Sequence, residues 1–300
     1  MVHHRVNIFI FVLYMIGMSG IMIWQGIGIT PDRYVLVLIL GSLFIGKTRK
    51  FLMDWMPFLF ILISYDFLRS LATILNPRVN YIQMIDFDKL ISNPIPTIFL
   101  QNILYKEGSV SALDYFCTFF YFLHFALPLT FAFILWIKNI HNFKRFGNGL
   151  LILSYSAFAT FVIFPAAPPW LAYKDGYLPH VYKILEVTLK SFPDKLSLPS
   201  IYNTFNPNTV AAVPSLHAGY PFLVLLFALK FFGKKGLWMI PYVLGAWFSI
   251  VYMGEHYIFD VLTGMIYATG AFYLSNFLFY LWQHSRVRRL FSKISFLSPF

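Results

Sequence analysis

Apolar residues run along this chain in long unbroken blocks, and polar residues gather in the gaps between them. A block of about 20 apolar residues is what an α-helix needs to cross the hydrocarbon core of a bilayer. The pattern predicts spans at Val6–Trp24, Pro31–Gly46, Phe51–Leu75, Leu113–Ile137, Gly147–Phe164, Val213–Phe232, Leu237–Met253 and Tyr257–Trp282. The expected fold class is all-α, a polytopic membrane helix bundle of about eight transmembrane helices, because spanning segments must satisfy their own backbone hydrogen bonds. Two connections are long, 76–112 and 165–212. The first holds a short apolar run from Pro96 to Tyr105, with proline where a helix would start. The second holds Val181, Ile184, Leu185, Thr188 and Phe192 on one helical face, opposite Lys183, Glu186 and Lys190. That reads either as a helix lying in the membrane interface or as a packed loop helix.

Composition agrees with the block pattern. The chain is 59% hydrophobic and 12% charged, with mean hydropathy +0.68, whereas soluble domains carry about 25% charged residues. Arg5 before the first block imitates a signal peptide, but Val6–Trp24 is long for one and lacks a small-residue cleavage site, so an uncleaved anchor is expected. The single cysteine, Cys117, excludes a disulfide within the chain and weighs against a Cys–His zinc cluster. No metal and no cofactor are expected.

The net charge of +11 is distributed unevenly. With the N-terminus inside, the inner segments collect Arg5; Lys47, Arg49 and Lys50; Lys138, Lys144 and Arg145; Lys230, Lys234 and Lys235; and Arg286, Arg288, Arg289 and Lys293, with no acid among them. Lys and Arg in short loops set orientation, so both termini are expected to be cytoplasmic. Cations divided among juxtamembrane loops, and not gathered on one face, argue against nucleic acid as a partner. The domain layout is then residues 1–50 as two N-terminal spans, 51–285 as the membrane core and 286–300 as a basic tail.

Ionisable groups at a membrane boundary are costly and by default suggest function. Pro214-Ser215-Leu216-His217-Ala218-Gly219 and His256-Tyr257-Ile258-Phe259-Asp260 place two histidines at adjacent extracytoplasmic ends of spans. Pro214 suits the first turn of a helix, whose start offers N–H groups to an anion. His256 and Asp260, four apart, share a helix face. The carboxylate can fix one tautomer and leave the other ring nitrogen free to attack, while a second histidine protonates a leaving oxygen. These parts suggest double displacement at phosphorus through a phosphohistidine, without a metal.

Together with Phe164-Pro165-Ala166-Ala167-Pro168-Pro169-Trp170, these strings resemble the type 2 phosphatidic acid phosphatase superfamily, and within it the inositol phosphorylceramide synthases. The resemblance covers the last six spans and implies a six-helix catalytic core preceded by two further spans. It implies His256 as nucleophile, Asp260 as its orienting carboxylate and His217 as the acid for the leaving group. Two features of the superfamily's phosphatases are missing. No Arg-Pro pair precedes the Pro214 motif, and Ile250 follows Ser249 where those phosphatases carry arginine. Both departures resemble the synthases. The phosphate then needs another cation, for which Arg69, three residues from Asp66, and Lys174 are the candidates; Ser215 and Leu216 belong to the same binding region. Tyr173, His180 and Asn206 are available to a polar headgroup.

The function expected is membrane-embedded phosphotransfer of a phosphoinositol-like headgroup from a phospholipid to a lipid alcohol. The alternatives are a lipid phosphatase using water and, in another class, a lipid transporter or scramblase. Only Asp54, Asp66, Arg69 and Asp260 were identified below the boundary, a thin polar path for transport. Nothing in the sequence specifies an oligomer.

Overall fold

The computed structural model describes residues 48–193 and 208–284, with the isolated positions 13, 16, 17, 20 and 21. The expected span Pro31–Gly46, nearly all of Val6–Trp24, the tail 286–300 and Asn206 lie outside the described residues. The described chain is helical, and its only β-pairing is two isolated bridges, Asn80 with Ala166 and Ala166 with Ala211.

The long helices are α1 (Thr48–Leu75), and, after two short helices α2 (Ile82–Ile91) and α3 (Pro96–Leu104), α4 (Ala112–Lys138) and α5 (Ile140–Ile163). Two more short helices, α6 (Pro169–Lys174) and α7 (Ile184–Lys190), precede α8 (Leu216–Phe232). A 3-10 segment, Gly233–Met239, leads into α9 (Ile240–Tyr252), and α10 (Ile258–His284) closes the bundle. Among the described residues, four helical stretches are long and apolar enough to cross a membrane: Ala112–Lys138, Ile140–Ile163, Leu216–Tyr252 and Ile258–His284. The third folds back on itself, since α9 packs against α8. Gly233 makes the turn with φ +57, a conformation that suits glycine.

Local chemistry sets the helix ends. Ser111 and Asp114 form a capping box at the start of α4. Asn139 alone separates α4 from α5, and its side chain caps the second helix by accepting from the N–H groups of His141 and Asn142. The expected span from Gly147 therefore begins earlier, and Lys144 and Arg145 lie in the first turns of α5. Pro96 stands at the start of α3. On α7, Ile184, Leu185 and Thr188 are buried against α4 while Lys183, Glu186 and Lys190 pair with one another, so α7 is a packed loop helix.

The centre of the bundle is α8, held by α10, α4, α5 and α9. α1 lies against α5, with Asp54 accepting from the Trp136 indole N–H at 2.8 Å. The two ends of the bundle differ. At one end α8 and α10 begin. There α2 packs on α10, α3 packs on α9, and Tyr252 donates to Asp114 at 2.7 Å. At the other end Lys138, Arg145 and Lys230 lie over the rings of Phe232, Phe279 and Phe272, keeping their charge at the rim while burying their stems.

Candidate active site

The helix starts of α8 and α10 meet because two glycines allow it. A Cβ on Gly264 would sit under 3.0 Å from the Ser215 carbonyl oxygen, and one on Gly219 would sit 3.2 Å from the Gly264 carbonyl oxygen. The Ser215 N–H donates to the Asp260 carbonyl at 3.1 Å, stitching the two starts together. Ser215 is the N-cap of α8, its hydroxyl accepting from the Ala218 N–H at 3.3 Å, and Leu216 is the first helical residue. Pro214 therefore stands before the cap and not in the first turn. The cap belongs to the serine, whose hydroxyl accepts the Ala218 N–H, whereas proline's side chain has no acceptor to offer.

This contact brings His217 and His256 together. His256 Nδ1 lies 3.1 Å from Asp260 Oδ2, which also accepts from the Tyr257 N–H at 2.9 Å. His256 Nε2 lies 3.2 Å from His217 Nδ1. The network assigns the protons: the carboxylate accepts only, so His256 carries its hydrogen on Nδ1 and its Nε2 presents a lone pair, to which the His217 Nδ1–H donates. Asp260 is fully buried, and its Oδ1 has no hydrogen-bond partner among the described residues.

The remaining expected residues divide. Arg69 on α1 lies close enough for its charge to be felt by His217 and by His124; its carbonyl accepts from the Asn208 side chain at 3.2 Å, tying α1 to the segment before α8. Asp66 is on the same helix, but its side chain lies outside the described part. Lys174, at the end of α6, is exposed and makes no ion pair among the described residues. The rings of Tyr173 and His180 meet at a tilt, centroids 4.6 Å apart, on the exposed side of that loop. Ser249 donates to the Gly245 carbonyl, and Ile250, in the position of the absent arginine, is fully buried. The Pro168-Pro169-Trp170 turn rests against the His256 loop through the Trp170 N–H and the Gly254 carbonyl, 3.1 Å apart.

Two groups were missed by the sequence reading. The ring of His124 on α4 packs against His217 at a tilt of 45°, centroids 3.9 Å apart, and Tyr121, one turn away, stacks on the same ring at 4.4 Å. His124 is ionisable in an apolar block, the one signal the sequence carries for it, and that signal does not separate a site residue from a packing histidine. Asp88 on α2 is fully buried and accepts from the N–H groups of Ile258 and Phe259 at 3.0 and 3.1 Å, capping α10 from a distant element. Burial pushes its carboxyl up to about 6, against the opposing pull of those N–H donors. Among the described residues, no group of three or more His, Cys, Asp or Glu side chains is arranged to hold a metal.

Comparison with known proteins gives a family and a set of relatives. The model of the PAP2 superfamily matches residues 97–274. The chain is 28% identical over 256 residues to a phosphoinositol dihydroceramide synthase of Bacteroides thetaiotaomicron, covering 80% of this chain and 82% of that protein. It is 25% identical over 187 residues to an inositol phosphorylceramide synthase of Candida albicans, covering 56% of this chain and 39% of the relative. It is 33% identical over 113 residues to the catalytic subunit of the Saccharomyces cerevisiae inositol phosphorylceramide synthase, covering 35% and 27%. No solved structure matches it.

Proposed function

The chain belongs to the PAP2 superfamily, and from that premise we propose that it moves a phosphoinositol-like headgroup from a glycerophospholipid to a ceramide-like lipid alcohol. The observation that carries the reading is the row Asp260–His256–His217, joined by contacts of 3.1 and 3.2 Å. The similarity to a phosphoinositol dihydroceramide synthase and an inositol phosphorylceramide synthase supports the substrate class.

In the first half-reaction His256 Nε2 attacks phosphorus. An N–P bond forms, the P–O bond to the glycerolipid breaks, and the leaving oxygen takes a proton from His217. In the second, the acceptor hydroxyl gives its proton to His217 and attacks phosphorus; the new P–O bond forms as the N–P bond breaks. At rest the His256 lone pair accepts from His217, so the donor phosphate must displace that hydrogen bond. Arg69, close in charge to the site, and the N–H groups at the start of α8 face the charge that develops on the phosphoryl oxygens. The histidine end is taken as extracytoplasmic, supported by the cations gathered at the opposite end.

The test is incubation of purified protein with a panel of labelled phospholipids, with and without ceramide or diacylglycerol, and with excess chelator in a parallel arm. Labelled phosphoinositol on ceramide, formed equally under chelation and abolished in His256→Ala, is the expected result. Release of headgroup phosphate to water with or without acceptor would make the protein a phosphatase instead. Loss of turnover on chelation, restored by Mg²⁺ or Zn²⁺, would overturn the metal-free route.

A further inference from the structure

The catalytic reading uses His217 as acid in one half-reaction and base in the next, so its ring must stay in place while its partners change. In the resting state the ring has two kinds of hold. One is the hydrogen bond to His256 Nε2 at 3.2 Å. The other is the pair of ring contacts from α4, His124 at 3.9 Å and Tyr121 at 4.4 Å between centroids. Once His256 carries phosphorus on Nε2, its lone pair is gone and the first hold disappears. The ring contacts from α4 do not depend on that lone pair.

The α4 pair is itself anchored. His124 Nδ1 is hydrogen-bonded to the Tyr121 carbonyl oxygen, one turn back on the same helix, which fixes the orientation of the His124 ring relative to Tyr121. The two rings meet edge to face, centroids 5.7 Å apart, and present two walls to His217. Both rings approach His217, the acid–base histidine.

We propose that His124 is a positioning residue for His217, whose ring contact holds the acid–base imidazole in register through the covalent intermediate. The proposal rests on the reading above, in which His256 is the nucleophile and His217 the proton carrier. It separates from a merely structural role by a leaving-group argument. A p-nitrophenolate leaves without a proton, so its departure does not need His217, whereas a glycerolipid alkoxide needs the acid. Discharge of the intermediate to an alcohol or water needs the base in either case.

The experiment uses the full-length protein in detergent with two donors: labelled phosphatidylinositol and the p-nitrophenyl phosphodiester of myo-inositol. Wild type should show a burst of p-nitrophenol followed by slower turnover. In His124→Ala the burst rate should stay within about threefold of wild type, while steady-state turnover, and transfer from phosphatidylinositol, fall by about 10- to 100-fold, as expected of a misplaced group. His124→Phe, which keeps a flat ring, should recover most of the loss. His217→Ala should show the same pattern as His124→Ala, and His256→Ala should show no burst. A His124→Ala variant that loses burst and steady state equally has a general defect and overturns the proposal, as does one with normal rates on both donors. A His124→Phe variant as impaired as His124→Ala would mean that the imidazole nitrogens, not the ring contact, do the work, and also overturns it. If wild type itself gives no burst, the covalent route fails first and this inference falls with it. If the burst is present, the variants decide the inference alone.

Discussion

His256 can attack only while one ring nitrogen is committed and the other is open, and Asp260 commits it. The carboxylate accepts from His256 Nδ1 and from the Tyr257 N–H through the same oxygen, so both the tautomer and the ring plane depend on one buried atom. Asp260→Asn can present an amide N–H₂ to Nδ1, stabilising the tautomer that puts the hydrogen on Nε2, where the lone pair is needed. Turnover should fall by about 10²- to 10⁴-fold, with the half-saturation concentration of donor lipid little changed, because the loss is in the transition state. A fall of less than tenfold in steady-state assays would show that another contact sets the tautomer. The pairing of His256 with Asp260 was legible in the sequence because it is local, four positions apart, although the two do not share a helix face as expected: His256 sits in the loop before α10 and Asp260 in the first turn of α10. His217 was legible because its string places a histidine beside a helix cap. His124 was harder to see: its partners, His217 and Tyr220, lie on α8, far along the chain, and its ionisable ring in an apolar block does not by itself tell a site residue from a packing histidine. Asp88 was invisible for the same reason, since the N–H groups it caps are separated from it by 170 and 171 positions.

At the level of elements, the site exists because two helix starts touch. Long apolar blocks announce helices, but which helix ends meet depends on where a backbone can approach another, and single glycines decide that. Gly264 is the clearest case. Any side chain there runs into the Ser215 carbonyl, which the backbone cannot easily yield because the Ser215 N–H is held by Asp260. Gly264→Ala should therefore push α8 from α10, at a cost of about 1–3 kcal/mol or more, and lower activity although every catalytic side chain remains. Gly270→Ala on the same helix, where nothing lies within 4 Å, is the control and should be neutral or slightly stabilising. Thermal unfolding and turnover of the two variants, measured together, check this; equal behaviour would mean that the helix contact is not tight. The second lock is Asp88, which holds the start of α10 from α2. Its carboxyl titrates at about 6 in the folded protein and at 3.8 in the ordinary case, so the folded state binds the proton more tightly. That contribution to stability is complete below the ordinary value and is lost as pH rises through about 6. The unfolding midpoint should decline across that window, and Asp88→Asn, which cannot ionise, should flatten the decline. A slope unchanged in Asp88→Asn would assign the titration to another group.

For the molecule as a whole, the distribution of charge between the two ends bears on which side of the membrane the histidines face. The helical class was legible from composition and block length, and the cation count set an orientation, but no residue on its own reports a side. What the fold adds is that the charges sort by end. Lys138, Arg145 and Lys230 lie at the end where α4 and α8 finish and α5 starts, while His217, His256 and Asp260 lie where α8 and α10 begin. If lysine and arginine are retained in the cytoplasm, the chemistry happens at the opposite face, and donor and acceptor must both be in that leaflet. Cysteine mapping can decide this, because Cys117 is buried and silent and both test positions are exposed. In spheroplasts, a membrane-impermeant maleimide should label Lys174→Cys, at the histidine end, without permeabilisation. Lys234→Cys, at the turn between α8 and α9, should label only after detergent opens the membrane. The reverse pattern would place the histidines on the cytoplasmic face, and the transfer would then have to draw on inner-leaflet phospholipid.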